Sequence, residues 1–420
     1  MKLKILHFWS FFMLFLLSIS PCLLAQDLVN FKEIKGIIRD AESKTPLIFA
    51  DLNISNSNVS TVSNSDGEFL LKIPMDLESE IIIVTYLGYE EKQIPIKSLE
   101  SYNELELLPV ITELEAVSIT STKKTAREMV VETLSKKGTL YNNNSTLMTA
   151  FYRETIKKRR KNASLSEAVV KIHKKPYDSF KNDQIELVKA RKNTDYSRLD
   201  TIALKLQGGP FSNLYTDIIK YPEFIFTEED IDSYQFSYDQ PTRINDNLVY
   251  VINFKQLPQI KYPLYYGKLY IDANTLALNS AVYRLNIENK ELSSQMFIRK
   301  KPKKVDVYPT ETMYRVNYRT KNGKWHYAYS HIALSFKVNW TGKLFNSTYS
   351  LISEMAITDW EIYEARMADV KSELLRPTTI LTEKASGFSD PRFWGEYNII
   401  EPEKSIESAI KKIQRQLKRT

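Results

Sequence analysis

Four histidines and one cysteine are the residues of this 420-residue chain best suited to binding a soft metal, and their spacing argues against it. None of His7, His173, His326 or His331 is followed by a glutamate three residues on, the pairing by which a zinc peptidase holds its metal. Cys22 stands alone, so no internal disulfide forms. On a strand, the five-residue separation of His326 and His331 places them on opposite faces and about 16 Å apart, unless the strand bulges. The Gly-Lys pairs at Gly267, Gly323 and Gly342 lack the upstream glycine and following hydroxyl of a phosphate-binding loop. Neither a dinucleotide fingerprint nor a Gly-x-Ser-x-Gly elbow occurs. No cofactor is expected. The acidic run Glu228-Glu229-Asp230-Ile231-Asp232 lacks the spaced oxygens and glycine of a calcium loop and reads as a solvated helix start or loop.

Two other groupings could carry binding. The runs Lys157-Lys158-Arg159-Arg160-Lys161 and Arg299-Lys300-Lys301-Pro302-Lys303-Lys304 each fall where one strand hands over to the next. They read first as solvated hairpin tips, and as contacts to anionic lipid headgroups or a polyanionic glycan in the functional alternative. Tyr262, Tyr265, Tyr266 and Tyr270 cluster in sequence, and Tyr314 and Tyr318 share a strand face with Val316. Such aromatics could stack on sugars or line a lipid groove, although large sheets also pack with them.

These residues need elements to position them. From Phe31 to about Leu108, short alternating strands separated by turn residues predict a β-sandwich. Asn64-Ser65-Asp66-Gly67 carries an Asp-Gly turn, around which Ser60 to Ser63 and Glu68 to Ile73 are expected to pair. Ile81 to Val84 is continuously apolar and reads as a central strand covered on both faces. Thr125-Ala126-Arg127-Glu128 is a capping box opening a helix that Lys136-Lys137-Gly138 ends, with the glycine as left-handed cap. From Thr149 to Met355 successive antiparallel strands predict one large curved sheet or half-barrel. Ser405 to Leu417 has an apolar stripe and reads as a docking helix in preference to a membrane-surface helix. The fold class is mainly β, with a few helices.

Composition is that of a packed globular protein, at 43% hydrophobic and 26% charged residues. Lys2 and Lys4 precede 22 uncharged residues, Ile5 to Gln26, which reads as a secretory signal cleaved after Ala25; an uncleaved anchor is the alternative. Loss of the two lysines takes the net charge from +7 to +5. Export makes nucleic acid an improbable partner for the basic runs. The expected organisation is a signal at 1–25, a sandwich at 31–110, an extended linker at 111–124, a β-rich domain opening with a helix at 125–400, and an amphipathic helix at 401–420.

Gly36-Ile37-Ile38-Arg39-Asp40, Pro46-Leu47-Ile48-Phe49-Ala50, Asp66-Gly67-Glu68-Phe69 and Tyr86-Leu87-Gly88-Tyr89 follow in the order that resembles the carboxypeptidase-regulatory-like domain. That resemblance implies a transthyretin-like sandwich of the kind fused to outer-membrane and secreted proteins in Bacteroidetes, and, with the histidines as they stand, a module with no peptidase attached. Glu113 to Thr120 looks like the segment that follows this module in TonB-dependent receptors, but too few residues remain for a plug and barrel. Ala150 to Glu154, Glu167 to Val169, Tyr266 to Asp272 and Trp394 to Ile400 resemble uncharacterised Bacteroidetes proteins carrying the same module. The order of helix, strands and a Gly-x-Leu-Tyr-Ile-Asp strand is also similar to the half-barrel of outer-membrane lipoprotein-sorting proteins. The expected protein is noncatalytic and located in the periplasm or at the outer membrane. It is expected to bind or scaffold envelope proteins, lipid or glycan, in peripheral contact with that membrane. A half-barrel carrier of an apolar ligand, a hydrolase of unknown type and an accessory to TonB-dependent uptake are the alternatives.

Overall fold

The computed structural model describes residues 31–110, 124–159, 161–194, 208–226, 230–244, 247–298, 301–342, 346–363, 373–385, 392–404, 406 and 408. The expected signal with Ala25, most of the linker, the acidic residues Glu228 and Glu229, and most of the C-terminal helix lie outside them.

Seven short strands build the N-terminal unit: β1 Phe31–Asp40, β2 Asp51–Ile54, β3 Ser60–Val62, β4 Glu68–Pro74, β5 Ile81–Thr85, β6 Lys92–Pro95 and β7 Tyr102–Leu107. They form two sheets, ordered β4-β1-β7 and β3-β2-β5-β6. Alternation decides what faces inward. In β2, Leu52 and Ile54 are buried while Asp51 and Asn53 point away; in β5, Ile82 and Val84 are buried and the flanking Ile81 and Ile83 are only half-buried. The continuous apolar run of β5 is therefore covered fully on one face only. Ile34, Ile38, Phe69, Leu71 and Leu105 complete the core between the sheets.

The Asp-Gly turn is present but does not make the expected hairpin. Asn64 Oδ1 accepts from the amides of Asp66 and Glu68 at 2.9 Å, Gly67 has φ +76°, and the chain crosses from one sheet to the other. β3 pairs with β2, and β4 with β1. A Cβ at Gly67 would stand 2.8 Å from Pro46 Cβ and 2.9 Å from the Ile38 carbonyl, so the crossing itself requires glycine.

The remaining strands are β8 Thr146–Lys158, β9 Lys161–Lys174, β10 Gln184–Thr194, β11 Tyr234–Ile244, β12 Asn247–Gln256, β13 Tyr265–Asp272, β14 Leu278–Leu285, β15 Val305–Lys321, β16 Lys324–Trp340 and β17 Ser347–Ile362. They form one open antiparallel sheet ordered β10-β9-β8-β17-β16-β15-β14-β13-β12-β11. Most neighbours are successive hairpins; the exception, β17 beside β8, joins the last strand to the first and puts both in the sheet's interior.

Each face of this sheet is covered differently. On the inner face lie α1 Ala126–Ser135, the one-turn α2 Lys137–Leu140, and the segment 208–226 containing α3 Pro210–Leu214. Phe211, Leu214, Ile218, Ile219, Tyr221, Ile225 and Phe226 of that segment pack on Tyr152, Val170, Ile271, Tyr283, Val316 and Met355 of the strands. α1 starts on the predicted capping box, with the Glu128 amide donating to Thr125 Oγ1 and the Thr125 amide to Glu128 Oε2. It ends differently from expectation: Lys136 is the C-cap and Gly138 lies inside α2, because the chain turns again before leaving the sheet. α4 Lys290–Phe297 covers the far end of the inner face, with Phe297 against Phe336.

The outer face takes the sandwich. Phe49, Val62 and Leu70 share a core with Phe151, Val169, Tyr329 and Ala356 of the large sheet and with Trp394, Ile399 and Ile400 of the C-terminal segment. That segment stitches the two units together. The Asn398 side chain accepts from the Lys72 amide at 2.7 Å and donates to its carbonyl at 3.0 Å, as a neighbouring strand would. Thr61 donates to the Ile399 carbonyl and Arg153 to the Ile400 carbonyl. The Trp394–Ile400 phrase is thus part of the joint between the two units.

Candidate binding cleft between sandwich and sheet

Among the contacts of the sandwich with the large sheet, two stand at opposite ends of a gap. One is the β3–β17 seam, where Ser60 Oγ donates to the Ile357 carbonyl at 2.9 Å; the other is the Tyr86–Tyr89 turn, where the Gly88 amide donates to the Arg243 carbonyl at 3.1 Å. Between these supports lies a cleft of about 290 Å³. Its roof is the outward face of β2 and β5, with Asp51, Asn53, Ile83 and Thr85; its floor is the outward face of β15, with Arg315, Asn317 and Arg319. The two-residue period places them there: Val316 and Tyr318 alternate with them and are buried on the inner face.

The two arginines have different duties. Arg319 holds both oxygens of Asp51, with Nε at 2.9 Å from Oδ2, and Nη1 donates to Ser60 Oγ at 2.7 Å. It locks roof to floor. Arg315 donates from Nε to Asn317 Oδ1 at 3.1 Å, and its guanidinium carbon lies 5.8 Å from the centre of the Phe49 ring. No carboxylate among the described residues pairs with it. Phe49 is held with φ +63°, a conformation in which a bulky residue is strained, and its ring also lies tilted against His331, with centroids 4.8 Å apart. Burial, with the charge of Arg315 adding to it, lowers the His331 pKa to about 4, so at neutral pH the ring is uncharged beside the guanidinium. The cleft therefore presents Arg315 with two unengaged terminal nitrogens beside the side-chain amides of Asn53 and Asn317, with the carboxylates of Glu91 and Asp272 also on its wall; the planar guanidinium has the geometry to take a carboxylate or phosphate oxygen pair.

The predicted aromatics do not gather in one place. Tyr265 and Tyr314 form an inner-face cluster with Tyr283, whose ring lies 5.1 Å from Tyr314 at 7°. Tyr318 is buried there too and donates to Asp217 Oδ1 at 2.9 Å. Tyr270 is half-buried on the other face, while Tyr262 and Tyr266 are 47% and 42% exposed. Of the six, Tyr318 alone reaches the cleft wall. Asp51, Arg315, Asn317 and Arg319 belong to the polar phase of β2 and β15, which the alternation of those strands shows, whereas Phe49 lies in the turn before β2 and has no such local signal.

The histidine geometry differs from expectation. In β16 the register against β15 shifts between Tyr327 and Tyr329, leaving Ala328 as an extra residue. That bulge reverses the alternation: Tyr327 belongs to the inner core and Tyr329 to the outer one, so His326 and His331 share the outer side. They still do not converge on a metal: His326 packs on Trp360 and His331 on Phe49, and no group of metal-ligating residues occurs among the described residues.

The fold's buried charges sit away from the cleft. On the outer face Arg153, 1% exposed, bonds Glu167 at 2.8 Å and Glu354 at 3.0 Å, and Glu167 also accepts from Arg191 at 2.7 Å. On the inner face Lys174 is clamped between Asp183 and Asp217, each at 2.8 Å. Burial alone would lower the Lys174 pKa; the two carboxylates reverse that and raise it. Glu154 is buried without a cation, accepts from the Tyr152 hydroxyl at 2.8 Å, and is pushed by burial to a pKa of about 7. Asn213 of α3 ties the segment 208–226 to the sheet, donating to Ser330 Oγ at 2.9 Å and accepting from Ser353 Oγ at 2.7 Å.

The first basic run forms the β8–β9 turn, with Arg159 at φ +56° and Lys161 exposed; Lys157 pairs with Glu403 at 3.6 Å and Lys158 lies over Tyr349. Lys301, Lys303 and Lys304 of the second lead exposed into β15. Arg160, Arg299 and Lys300 fall outside the described residues.

Residues 34–119 match the family model of the CarboxypepD_reg-like domain. No curated protein matches the chain. Among solved structures it is similar to an outer membrane lipoprotein-sorting protein domain from Vibrio parahaemolyticus, at 11% identity over 59% of this chain and 96% of that one, with a TM-score of 0.25. It is also similar to a DUF1329 family protein from Desulfovibrio piger, at 11% identity over 59% and 95% with a TM-score of 0.22, and to lipovitellin, at 7% identity over 53% and 26% with a TM-score of 0.26. All three overlaps are distant. No helix among the described residues is long and apolar enough to cross a membrane.

Proposed function

We propose that the protein is a noncatalytic binding protein of the cell envelope, and that the roofed cleft between sandwich and sheet takes a small polar ligand bearing a carboxylate or phosphate. The observation that carries this reading is Arg315: a cation without a carboxylate partner, oriented by Asn317 and Phe49, in a cleft bridged by Arg319 and Asp51. The envelope location rests on the apolar N-terminal run. The absence of catalysis is favoured by the placement of the perturbed carboxylates. Glu154, and Glu354 against Arg153, are sealed in packed layers, whereas Asp51 is spent on Arg319 and Asp272 caps its own turn. A carrier holding an apolar ligand on the inner face would require the segment 208–226 to leave the sheet.

The test is native mass spectrometry of the protein purified gently from its own envelope fraction, followed by calorimetric titration with phosphate and with glucuronate. The wild type is expected to retain or bind an acidic small molecule, and Arg315→Gln to weaken it by at least about tenfold, the loss of one charge-assisted bidentate contact. Flat titrations and no retained small molecule would rule the reading out.

A further inference from the structure

The two basic runs are about 140 residues apart in sequence, yet the sheet brings them to one end. The Arg159 amide donates to the Thr348 carbonyl at the start of β17, and the Thr341 amide, just past β16, donates to the Lys304 carbonyl at 3.0 Å. Strands β17 and β16 alone separate β8 from β15, a lateral distance of about 14 Å at ~4.8 Å per strand, with Lys304 a few residues further out along the strand direction. Arg159, Lys161, Lys303 and Lys304 are exposed there and form no ion pair with a described residue; Lys301 is exposed and shares Asp306 at 3.1 Å. Beside them α4 leaves Met296 51% exposed.

We infer that this end of the sheet is a docking surface for an anionic lipid bilayer, with the β8–β9 turn and the approach to β15 acting together on one layer of phosphate headgroups. Charge complementarity over an area favours such an occupant. Cations spread across roughly 20 Å cannot converge on one small anion, but they match a headgroup layer. Each lysine or arginine near such a surface strengthens attachment by about fivefold at physiological salt, and the attraction falls off within a Debye length.

Sedimentation with vesicles of phosphatidylethanolamine, with and without phosphatidylglycerol, tests this on the full chain. Binding is expected only to the anionic vesicles and to weaken as salt rises. Arg159→Gln/Lys161→Gln and Lys303→Gln/Lys304→Gln should each reduce it by about tenfold or more, and the fourfold variant should abolish it. These positions are exposed, and an unchanged thermal midpoint will show that the variants fold. Binding unaffected by either pair, binding to neutral vesicles alone, or attachment to a soluble sulfated glycan with none to vesicles would each overturn the inference. The assay does not involve Arg315, so its failure leaves the cleft standing, and the converse.

Discussion

Single residues in this protein show how burial sets charge behaviour. Glu154 has its pKa raised by burial from 4.5 to about 7, so between those values the folded state holds a proton that the unfolded chain releases. Its contribution to stability is complete below pH 4.5 and is lost as pH rises through 7, by about 3 kcal/mol. His326 and His331 act in the opposite sense: burial lowers them to about 3 and about 4, so they favour the folded state above 6.5 and oppose it as pH falls. Comparing Glu154→Gln with the wild type cancels the histidines. The variant should be more stable at pH 8 by up to about 3 kcal/mol, with the gap closing toward pH 4.5. Urea unfolding at the two pH values measures it, and a gap independent of pH would show that Glu154 does not titrate in this range. Arg153, by contrast, is matched: two carboxylates and the Ile400 carbonyl surround it, and Arg191 shares Glu167. The alternation of β8 puts Arg153 on the same face as Phe151, but its partners come from β9, β17 and a segment some 250 residues on, which no local pattern reveals.

At the scale of elements, the segment 208–226 is the least predictable part and the one that decides how the inner face is used. It has no long periodic pattern, yet Asn213, fully buried, bonds Ser330 and Ser353 from two adjacent strands. Replacing Asn213 with Ala leaves both hydroxyls short of a partner and should cost about 1–3 kcal/mol. Hydrogen exchange should quicken across 208–226 while the amides of β1 and β4 keep their protection; equal loosening of the sandwich would mean the segment is not an independent anchor. The sandwich strands were legible because their apolar residues alternate. The pairing of β3 was not: all three of its residues are buried, since β17 covers the side that a free-standing sandwich would leave to water.

For the whole molecule, the shared core of Phe49, Leu70, Phe151, Tyr329 and Trp394, together with the Asp51–Arg319 pair, joins the sandwich to the large sheet. Calorimetry of the chain is expected to show one unfolding transition, with Asp51→Asn and Phe49→Ala lowering that single midpoint. Two resolved transitions, only one of them moved by these substitutions, would show that the two units fold apart. The same arrangement makes the cleft a property of the assembly, because its roof and floor belong to different units.

By itself the sequence determined what is local: the period-2 alternation that makes strands, the capping box at Thr125, the Asp-Gly turn, and the mainly β composition of two successive units. These depend on residues within a few positions of one another, where sterics and hydrogen bonding act directly. Only the tertiary structure decided which outward faces meet. A strand's alternation names two faces and is silent on which is covered, and the bulge at Ala328 exchanges them midway along β16. The cleft, the stitched Trp394–Ile400 segment and the convergence of the two basic runs all arise from such long-range pairings, which the sequence encodes only through the packing of the complete fold.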